Sequence, residues 1–233
     1  MIPIVFIHGF LGSSRDWRTV IDLLPNSFAI DIPIADSWLE TVDRLNREIP
    51  SGSIVCGYSM GARLALGCVL SQPERFRGLV FVSGNPGIAN AERKNRLRHD
   101  LKMADEITTI NIDTFLKKWY QQTVFSGLEP DFLTTLIESK KQIDVQRQAI
   151  LLTTNSIANQ PDYWPLLSQL DLPTILLAGS RDKKYVSICQ KMADDIPNCE
   201  CEIVSNCGHI VHFEQAELLR NQLAEFRQRL SNT

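Results

Sequence analysis

The chain has 233 residues, a length that suits one α/β domain with room for an inserted segment. Hydrophobic residues make up 44% and charged residues 22%, a balance typical of a folded globular protein and not of a disordered chain. The net charge of −3 provides no basic field, so we expect no nucleic-acid partner, and no apolar run reaches the length of a membrane span.

The N-terminal residues 1–7 are apolar but lack the basic residues that begin a signal peptide, and they run straight into His8-Gly9. They predict a buried strand. We therefore expect a cytoplasmic protein whose cysteines are reduced thiols. No cysteine and histidine set has the close spacing of metal ligands, so we expect no metal site. We also expect a monomer.

Short β-branched runs alternate with amphipathic helices along the first 88 residues. The predicted strands are residues 3–7, 28–33, 53–56 and 78–83. The predicted helices are residues 16–24, 37–49 and 63–70. The second helix is expected to bury Leu39, Val42, Leu45 and Ile49. This order of strands and helices predicts a parallel sheet with helical crossovers.

The pattern changes after Asn85-Pro86-Gly87. Residues 91–165 have helical periodicity and no convincing strand, and an all-helical insertion between strands predicts a lid. Strands resume at 173–179 and 201–204, and helices are predicted at 188–196 and 216–230. We thus expect an α/β core formed by residues 1–88 and 166–233, with a helical lid at 89–165.

Gly57-Tyr58-Ser59-Met60-Gly61 lies between a predicted strand and a predicted helix. A Gly-x-Ser-x-Gly sequence in that context predicts a nucleophile elbow, a sharp turn that exposes the serine hydroxyl above the sheet edge. The alternative is a glycine-rich turn that carries an ordinary serine.

Two further residues complete a catalytic set in the chain order Ser, Asp, His. Asp182 follows a predicted strand, and His209 follows the last one. His209 would take the proton of Ser59, and Asp182 would orient the imidazole. Taken singly, each could be an ordinary loop residue. His212 is the second candidate histidine and could instead line a pocket.

The loop after the first strand predicts the other half of an oxyanion site. The backbone N–H groups of Phe10 and Met60 would converge on a developing negative charge. His8 is expected to fix this loop.

Cationic residues accompany the elbow. Arg63 opens an otherwise apolar helix one turn after Ser59, and residues 91–102 form a basic run at the start of the expected lid. Such a run is usually a solvated helix face, and Arg96 could simply pair with Asp100 at i,i+4 spacing. Its position above the sheet rim favours recognition of substrate carboxylates.

These motifs together resemble the 2-succinyl-6-hydroxy-2,4-cyclohexadiene-1-carboxylate (SHCHC) synthase family of the α/β hydrolases. The resemblance spans nearly the whole chain. It rests on His8-Gly9-Phe10-Leu11-Gly12-Ser13, Gly57-Tyr58-Ser59-Met60-Gly61-Ala62-Arg63, Asn85-Pro86-Gly87-Ile88, Arg96-Leu97-Arg98-His99-Asp100, Trp119-Tyr120-Gln121-Gln122, Gly179-Ser180-Arg181-Asp182 and Cys207-Gly208-His209.

The resemblance implies a cofactor-free lyase of menaquinone or phylloquinone biosynthesis. Such an enzyme removes a ring proton from a small substrate with several carboxylates and expels pyruvate. It implies that Ser59, His209 and Asp182 form the base system. It also assigns carboxylate and ring binding to a second group of residues, Tyr58, Arg63, Arg96 and Trp119.

Two departures from the family pattern stand out. Residues 31–36 replace a glycine- and histidine-bearing loop that the family often has. Lys140 falls where the family has an arginine; a lysine keeps the charge and loses the bidentate fork. Two other functions stay open: an esterase or carbon–carbon hydrolase acting through an acyl-enzyme, and a non-catalytic ligand-binding protein.

Overall fold

The computed structural model describes residues 1–232, which are built around one six-stranded sheet. The strands are β1 (Ile4–Ile7), β2 (Ser27–Ile30), β3 (Ser53–Tyr58), β4 (Phe76–Val82), β5 (Thr174–Gly179) and β6 (Cys199–Val204). They lie in the order β2-β1-β3-β4-β5-β6, and each neighbouring pair is parallel. The expected parallel α/β architecture is confirmed.

Helices connect the strands and also form a long insertion. They are α1 (Arg18–Ile21), α2 (Trp38–Glu48), α3 (Met60–Ser71), α4 (Asn90–Thr109), α5 (Ile112–Tyr120), α6 (Pro130–Lys140), α7 (Val145–Thr154), α8 (Lys183–Asp195), α9 (Val211–Glu214) and α10 (Ala216–Ser231). Between β4 and β5, a stretch that is described throughout, the chain forms α4 to α7 and no strand, as the sequence predicts. None of the helices within residues 1–232 combines the length and apolarity needed to cross a bilayer.

Burial of the strands follows their place in the sheet. Three of the four interior strands, β1, β3 and β5, are buried along their whole length, as continuous hydrophobic runs in parallel sheets are, and β4 is exposed only at Arg77. The two edge strands differ, since β2 is only partly buried and β6 carries the charged residues Glu200 and Glu202. Charge and exposure at an edge discourage pairing with another chain.

The core-facing side of α2 differs from the one expected. The Ser37 hydroxyl accepts the Glu40 N–H at 3.2 Å and caps the helix, which therefore begins at Trp38. Trp38 is 2% exposed and Leu39 is 63% exposed, so the prediction that Leu39 points inward was wrong. Each helical residue turns by about 100°, and the stripe that starts at Trp38 excludes its neighbour. The remainder of the expected stripe is buried: Val42, Leu45 and Ile49.

The segment predicted as one helix over residues 16–24 is broken. A 3₁₀ turn covers Ser14–Trp17 and is followed by the single turn of α1. Trp17 is fully buried and packs against Phe6, with ring centroids 4.8 Å apart. The aromatic side chain thus anchors a loop where periodicity suggested a longer helix.

The turn from β3 into α3 is in backbone contact with β1. A Cβ on Gly61 would lie 2.2 Å from the Ile7 carbonyl oxygen, and one on Gly57 would lie 2.3 Å from the Gly61 carbonyl oxygen. Glycine is therefore required at both positions because neighbouring backbone occupies the space. Helix α3 is buried from Met60 to Val69, so the turn has no room to shift outward.

We expect Gly61→Ala to lower the free energy of unfolding by at least about 2 kcal/mol, because the added methyl group meets backbone that cannot repack. Urea titration followed by circular dichroism measures this change. Gly52→Asn is the control: no atom lies within 4 Å of a Cβ there, and asparagine tolerates its φ of 80°. Equal stability of Gly61→Ala and the parent protein would contradict the close-contact account.

Candidate active site

A cavity of about 430 Å³ lies beside the elbow turn. Its walls come from the loops that follow β1, β3 and β6, from the start of α8 and from the helical insertion. Every predicted site residue except Asp182 lines it: Phe10, Tyr58, Ser59, Met60, Arg63, Arg96, Trp119, Lys140 and His209. Ligands of parallel α/β proteins commonly bind beyond the carboxyl ends of the strands, where this cavity lies.

Ser59 has a strained backbone. Its φ of 52° and ψ of −108° lie outside the regions that a serine ordinarily adopts. Strain of this kind persists only where the surroundings impose it, and it is concentrated at functional positions. Here the buried β3 and α3 fix both sides of the turn, so the serine is presented at the helix N-terminus on the cavity wall.

His209 and Asp182 form a buried pair. Nδ1 of His209 lies 2.6 Å from Oδ2 of Asp182, and the residues are 3% and 4% exposed. An ionised carboxylate only accepts hydrogen bonds, so it selects the tautomer with the proton on Nδ1 and a lone pair on Nε2. The other Asp182 oxygen caps α8 by accepting the Tyr185 N–H at 3.5 Å.

The two proposed oxyanion donors have free N–H groups. Met60 is the first residue of α3, so its N–H has no partner inside the helix. In the described part of the chain, neither this N–H nor that of Phe10 has a hydrogen-bond acceptor. Both residues line the cavity.

His8 fixes the loop that carries Phe10, as the sequence predicts. Its Nδ1 donates to the Gly9 carbonyl at 2.8 Å, and its Nε2 accepts the Ile32 N–H at 3.1 Å. Burial lowers the pKa of His8, which keeps this neutral arrangement.

Arg63 is a buried cation with partners from the helical insertion. Its terminal nitrogens donate to the Gln160 side chain at 2.9 Å and to the Asn155 carbonyl at 2.8 Å. Its guanidinium carbon lies 5.2 Å from the centre of the Trp38 ring, within range of a cation–π interaction. Burial lowers the pKa of Arg63 to about 10, so the side chain stays charged at neutral pH.

Arg96 pairs with Asp100 and keeps binding capacity. Its Nε lies 2.9 Å from both Asp100 oxygens. Asp100 is 2% exposed and also accepts the Ser156 hydroxyl at 2.7 Å. Among the described residues, no acceptor is bonded to the two terminal nitrogens of Arg96. The pair with Asp100 therefore forms as the i,i+4 spacing indicates, but its aspartate is buried, and the two terminal nitrogens of Arg96 stay available for a ligand.

Lys140 has a carboxylate partner that the sequence did not suggest. Its Nζ lies 2.7 and 2.6 Å from the two oxygens of Asp16, and both side chains are largely buried. Breaking such a pair leaves an uncompensated buried charge. The pair joins α6 to the loop after β1 and reaches the cavity wall.

Aromatic rings surround the His209 imidazole. The rings whose centroids lie 4.6 to 5.6 Å away are those of Tyr185, Tyr58 and Phe125. Trp119 stands further along the wall, 4.8 Å from the Phe10 ring. Burial raises the pKa of Tyr58 well above its usual value, so its hydroxyl remains protonated.

His212 lines the same cavity and is 1% exposed. It packs among the rings of Trp17, Tyr58 and Phe213, at 4.4 to 4.5 Å. Its Nδ1 is buried and has no hydrogen-bond partner among residues 1–232. Burial, reinforced by the nearby Lys140, lowers the pKa of His212 well below its usual value, so the ring is neutral.

Sequence reasoning missed the residues that hold the cations in place. These are Asp16 for Lys140, Ser156 for the Arg96 and Asp100 pair, and Asn155 and Gln160 for Arg63. Only the Arg96 and Asp100 pair had a local signal, its i,i+4 spacing. The others join residues 56 to 124 positions apart, which no single-sequence pattern reveals.

Comparison with known proteins gives a consistent result. The profile of the Alpha/beta hydrolase family matches residues 4–222. The SHCHC synthase of Photorhabdus laumondii is 32% identical over 225 residues, which cover 90% of this chain and 79% of that protein. This chain belongs to the SHCHC synthase family of the α/β hydrolases.

Other relatives agree with this membership. The SHCHC synthase of Serratia proteamaculans is 28% identical, covering 96% of this chain and 92% of its own. The structure of MenH from S. aureus superposes with a TM-score of 0.90 at 26% identity, covering 99% of this chain and 94% of that one. The expected family, fold class and enzyme class are confirmed, and the alternative of a hydrolase acting through an acyl-enzyme is not favoured.

The buried histidines predict how stability depends on pH. An unfolded histidine has a pKa of about 6.5, and folding lowers the pKa of both His8 and His212. Below about pH 6.5 the unfolded chain binds protons that the folded chain does not. We therefore expect the free energy of unfolding to decrease as the pH is lowered below that value, by up to about 1.4 kcal/mol per pH unit for each histidine.

Urea titrations between about pH 7.5 and pH 5 measure this slope, because that interval spans the pKa of an unfolded histidine. His212→Asn should flatten it, since one proton is no longer taken up on unfolding. His99→Asn, at an exposed position, is the matched control and should leave the slope unchanged. A slope that His212→Asn does not alter would contradict the account.

Proposed function

We propose that this chain is a carbon–oxygen lyase of menaquinone biosynthesis. It eliminates pyruvate from 2-succinyl-5-enolpyruvyl-6-hydroxy-3-cyclohexene-1-carboxylate and leaves SHCHC. The observation that carries the proposal is one cavity in which an elbow serine and a carboxylate-paired histidine share the wall with several cations. Membership of the SHCHC synthase family supports the same reaction.

In this proposal Ser59 is a relayed base. The lone pair on His209 Nε2 takes the Ser59 hydroxyl proton, and the serine oxygen removes the ring proton of the substrate. Asp182 stabilises the imidazolium that forms. Electrons then move toward the carbon–oxygen bond of the enolpyruvyl ether, which breaks, and the imidazolium proton passes to the leaving group. Ser59 ends the cycle with its hydroxyl restored, and no cofactor takes part.

The free N–H groups of Phe10 and Met60 suit this elimination as well as they suit ester hydrolysis. They would donate to the enolate-like oxygen that forms when the ring proton leaves. Because the donors are backbone groups held by a buried helix and by the His8-fixed loop, they need no rearrangement during the reaction.

The charge of the cavity favours an anionic substrate. Its lining includes four cationic side chains (Arg63, Arg96, Lys140 and Lys184) and two carboxylates (Asp16 and Asp100). The free terminal nitrogens of Arg96 make it the first choice for a bidentate carboxylate contact. Arg63 and Lys140 would contribute mainly through their charge, since protein groups already hold them.

Residues 89–165 would act as a lid over this site. Their helices supply much of the cavity wall, including Arg96, Trp119 and Lys140. Enclosure of the substrate by such a segment excludes water and strengthens electrostatic contacts. Tyr58 and Trp119 would hold the ring.

We expect Ser59→Ala and His209→Ala to reduce pyruvate release by at least about 1,000-fold, since each removes part of the base system. The measurement is a lactate-dehydrogenase-coupled assay on freshly generated substrate. Retention of the parental rate by Ser59→Ala would refute the base assignment. Rapid ester cleavage without pyruvate release from the native substrate would refute the lyase proposal.

We expect Arg96→Lys to raise the KM about tenfold while kcat changes little, because lysine keeps the charge but cannot serve Asp100 and a substrate carboxylate together. Arg98→Lys is the matched control on the same helix, at an exposed position outside the cavity, and should leave KM unchanged. The same KM for both variants would argue against Arg96 as a carboxylate ligand.

A further inference from the structure

Glu214 is a buried carboxylate that the proposed chemistry does not use. It is the last residue of α9, its side chain is 8% exposed, and it does not line the cavity. Burial of a carboxylate is unfavourable unless hydrogen bonds and a countercharge compensate for lost hydration. The partners of Glu214 therefore indicate what the residue is for.

The two oxygens of Glu214 bind the backbone on both sides of His209. Oε2 accepts the Gly208 N–H at 2.9 Å, and Oε1 accepts the Ile210 N–H at 3.2 Å. Hydrogen bonds to an ionised acceptor are stronger than those between neutral groups. One side chain thus holds the peptide group that follows the histidine and the Cys207–Gly208 peptide group one residue before it, which restricts the backbone that carries the His209 side chain.

Arg181 extends this arrangement to the other member of the pair. Its Nη2 donates to Glu214 Oε2 at 3.1 Å and to the Asn206 carbonyl at 3.0 Å. The backbone N–H of Arg181 donates to the Cys207 carbonyl at 2.9 Å. Arg181 directly precedes Asp182. The loops that carry the aspartate and the histidine are therefore joined through Arg181 and Glu214.

Close packing leaves this loop little freedom. A Cβ on Gly179 would lie 1.9 Å from the Gly208 carbonyl oxygen, and one on Gly208 would lie 3.0 Å from Glu214 Oε1. Gly208 is therefore in close contact with the end of β5 and with the Glu214 carboxylate. The same Arg181 also reaches the helical insertion, since its Nη1 donates to Glu129 at 2.9 Å.

We propose that Glu214 is a positioning residue that holds His209 in the geometry required for proton transfer, with Arg181 as its anchor. The proposal rests on the role of His209 in the proposed function. It assigns Glu214 no contact with substrate. Its effect therefore belongs in the proton-transfer step and not in substrate affinity.

Glu214→Gln tests the proposal with almost no change in shape. The new amide group places N–H donors against a backbone N–H, so one of the two bonds is lost. We expect kcat for pyruvate release to fall about 10- to 100-fold per folded molecule, with KM within about twofold of the parent value. Glu217→Gln is the matched control: it makes the same charge change at a side chain that is 82% exposed, and should leave kcat unaltered.

A second readout does not depend on turnover. The proton that His209 Nδ1 shares with Asp182 should give a downfield proton NMR resonance, assigned by its loss in His209→Asn. We expect Glu214→Gln to broaden or shift it, and Glu217→Gln to leave it in place. If the parent protein released no pyruvate, the proposed function would fail, whereas the resonance would still test the role of Glu214.

If Glu214→Gln does not fold, Arg181→Met provides the test, since Arg181 is one-third exposed and its loss leaves both backbone bonds to Glu214 possible. We expect a broadened resonance and a decrease in kcat of up to about threefold. Thermal unfolding and circular dichroism give the folded fraction of each variant. An unchanged resonance with an unchanged kcat per folded molecule would overturn the proposal and leave Glu214 a stability residue.

Discussion

The backbone contact between the elbow turn and β1 determines the layout of the site. Because the Ile7 carbonyl occupies the space where Gly61 would carry a side chain, α3 can begin only against the end of β1. That one contact fixes the relative positions of the strained Ser59, the Met60 N–H and the loop that carries Phe10. The strain at Ser59 persists because α3 is buried along most of its length and cannot relax outward.

Electrostatic compensation is the second constraint. Lys140 is held by Asp16, Arg96 by Asp100, and Arg63 by amide and carbonyl oxygens of the helical insertion. A buried cation without such partners would be strongly destabilising, so each of these three side chains carries its positive charge next to an acceptor. In each case except Arg96 the partners come from a distant part of the chain. The contacts of Arg63 and Lys140 therefore compensate a cavity cation and also hold the insertion against the core.

Local patterns were reliable where one physical effect dominated. The continuous apolar runs of β1 and β3 indicated interior parallel strands, and both are buried throughout. Periodicity failed where a cap or an aromatic anchor intervened. Ser37 starts α2 one residue before Leu39 and turns that leucine to solvent, and the burial of Trp17 accompanies a 3₁₀ turn in place of a longer helix. The first deviation arises from a cap inside the predicted helix, and the second accompanies the contact of Trp17 with Phe6, which lies outside the segment in which the period was counted.

The sequence by itself determined the order of strands and helices, the elbow motif and the residues that meet at the cavity. Those features follow from the spacing of side chains along the chain, since the carboxyl ends of parallel strands share one edge. Only the tertiary structure decided which charges are compensated and which tautomer Asp182 imposes on His209. It also decided that Glu214 accepts hydrogen bonds from the backbone on both sides of that histidine. Those depend on distances of about 3 Å between atoms from separate elements, which spacing along a chain does not specify.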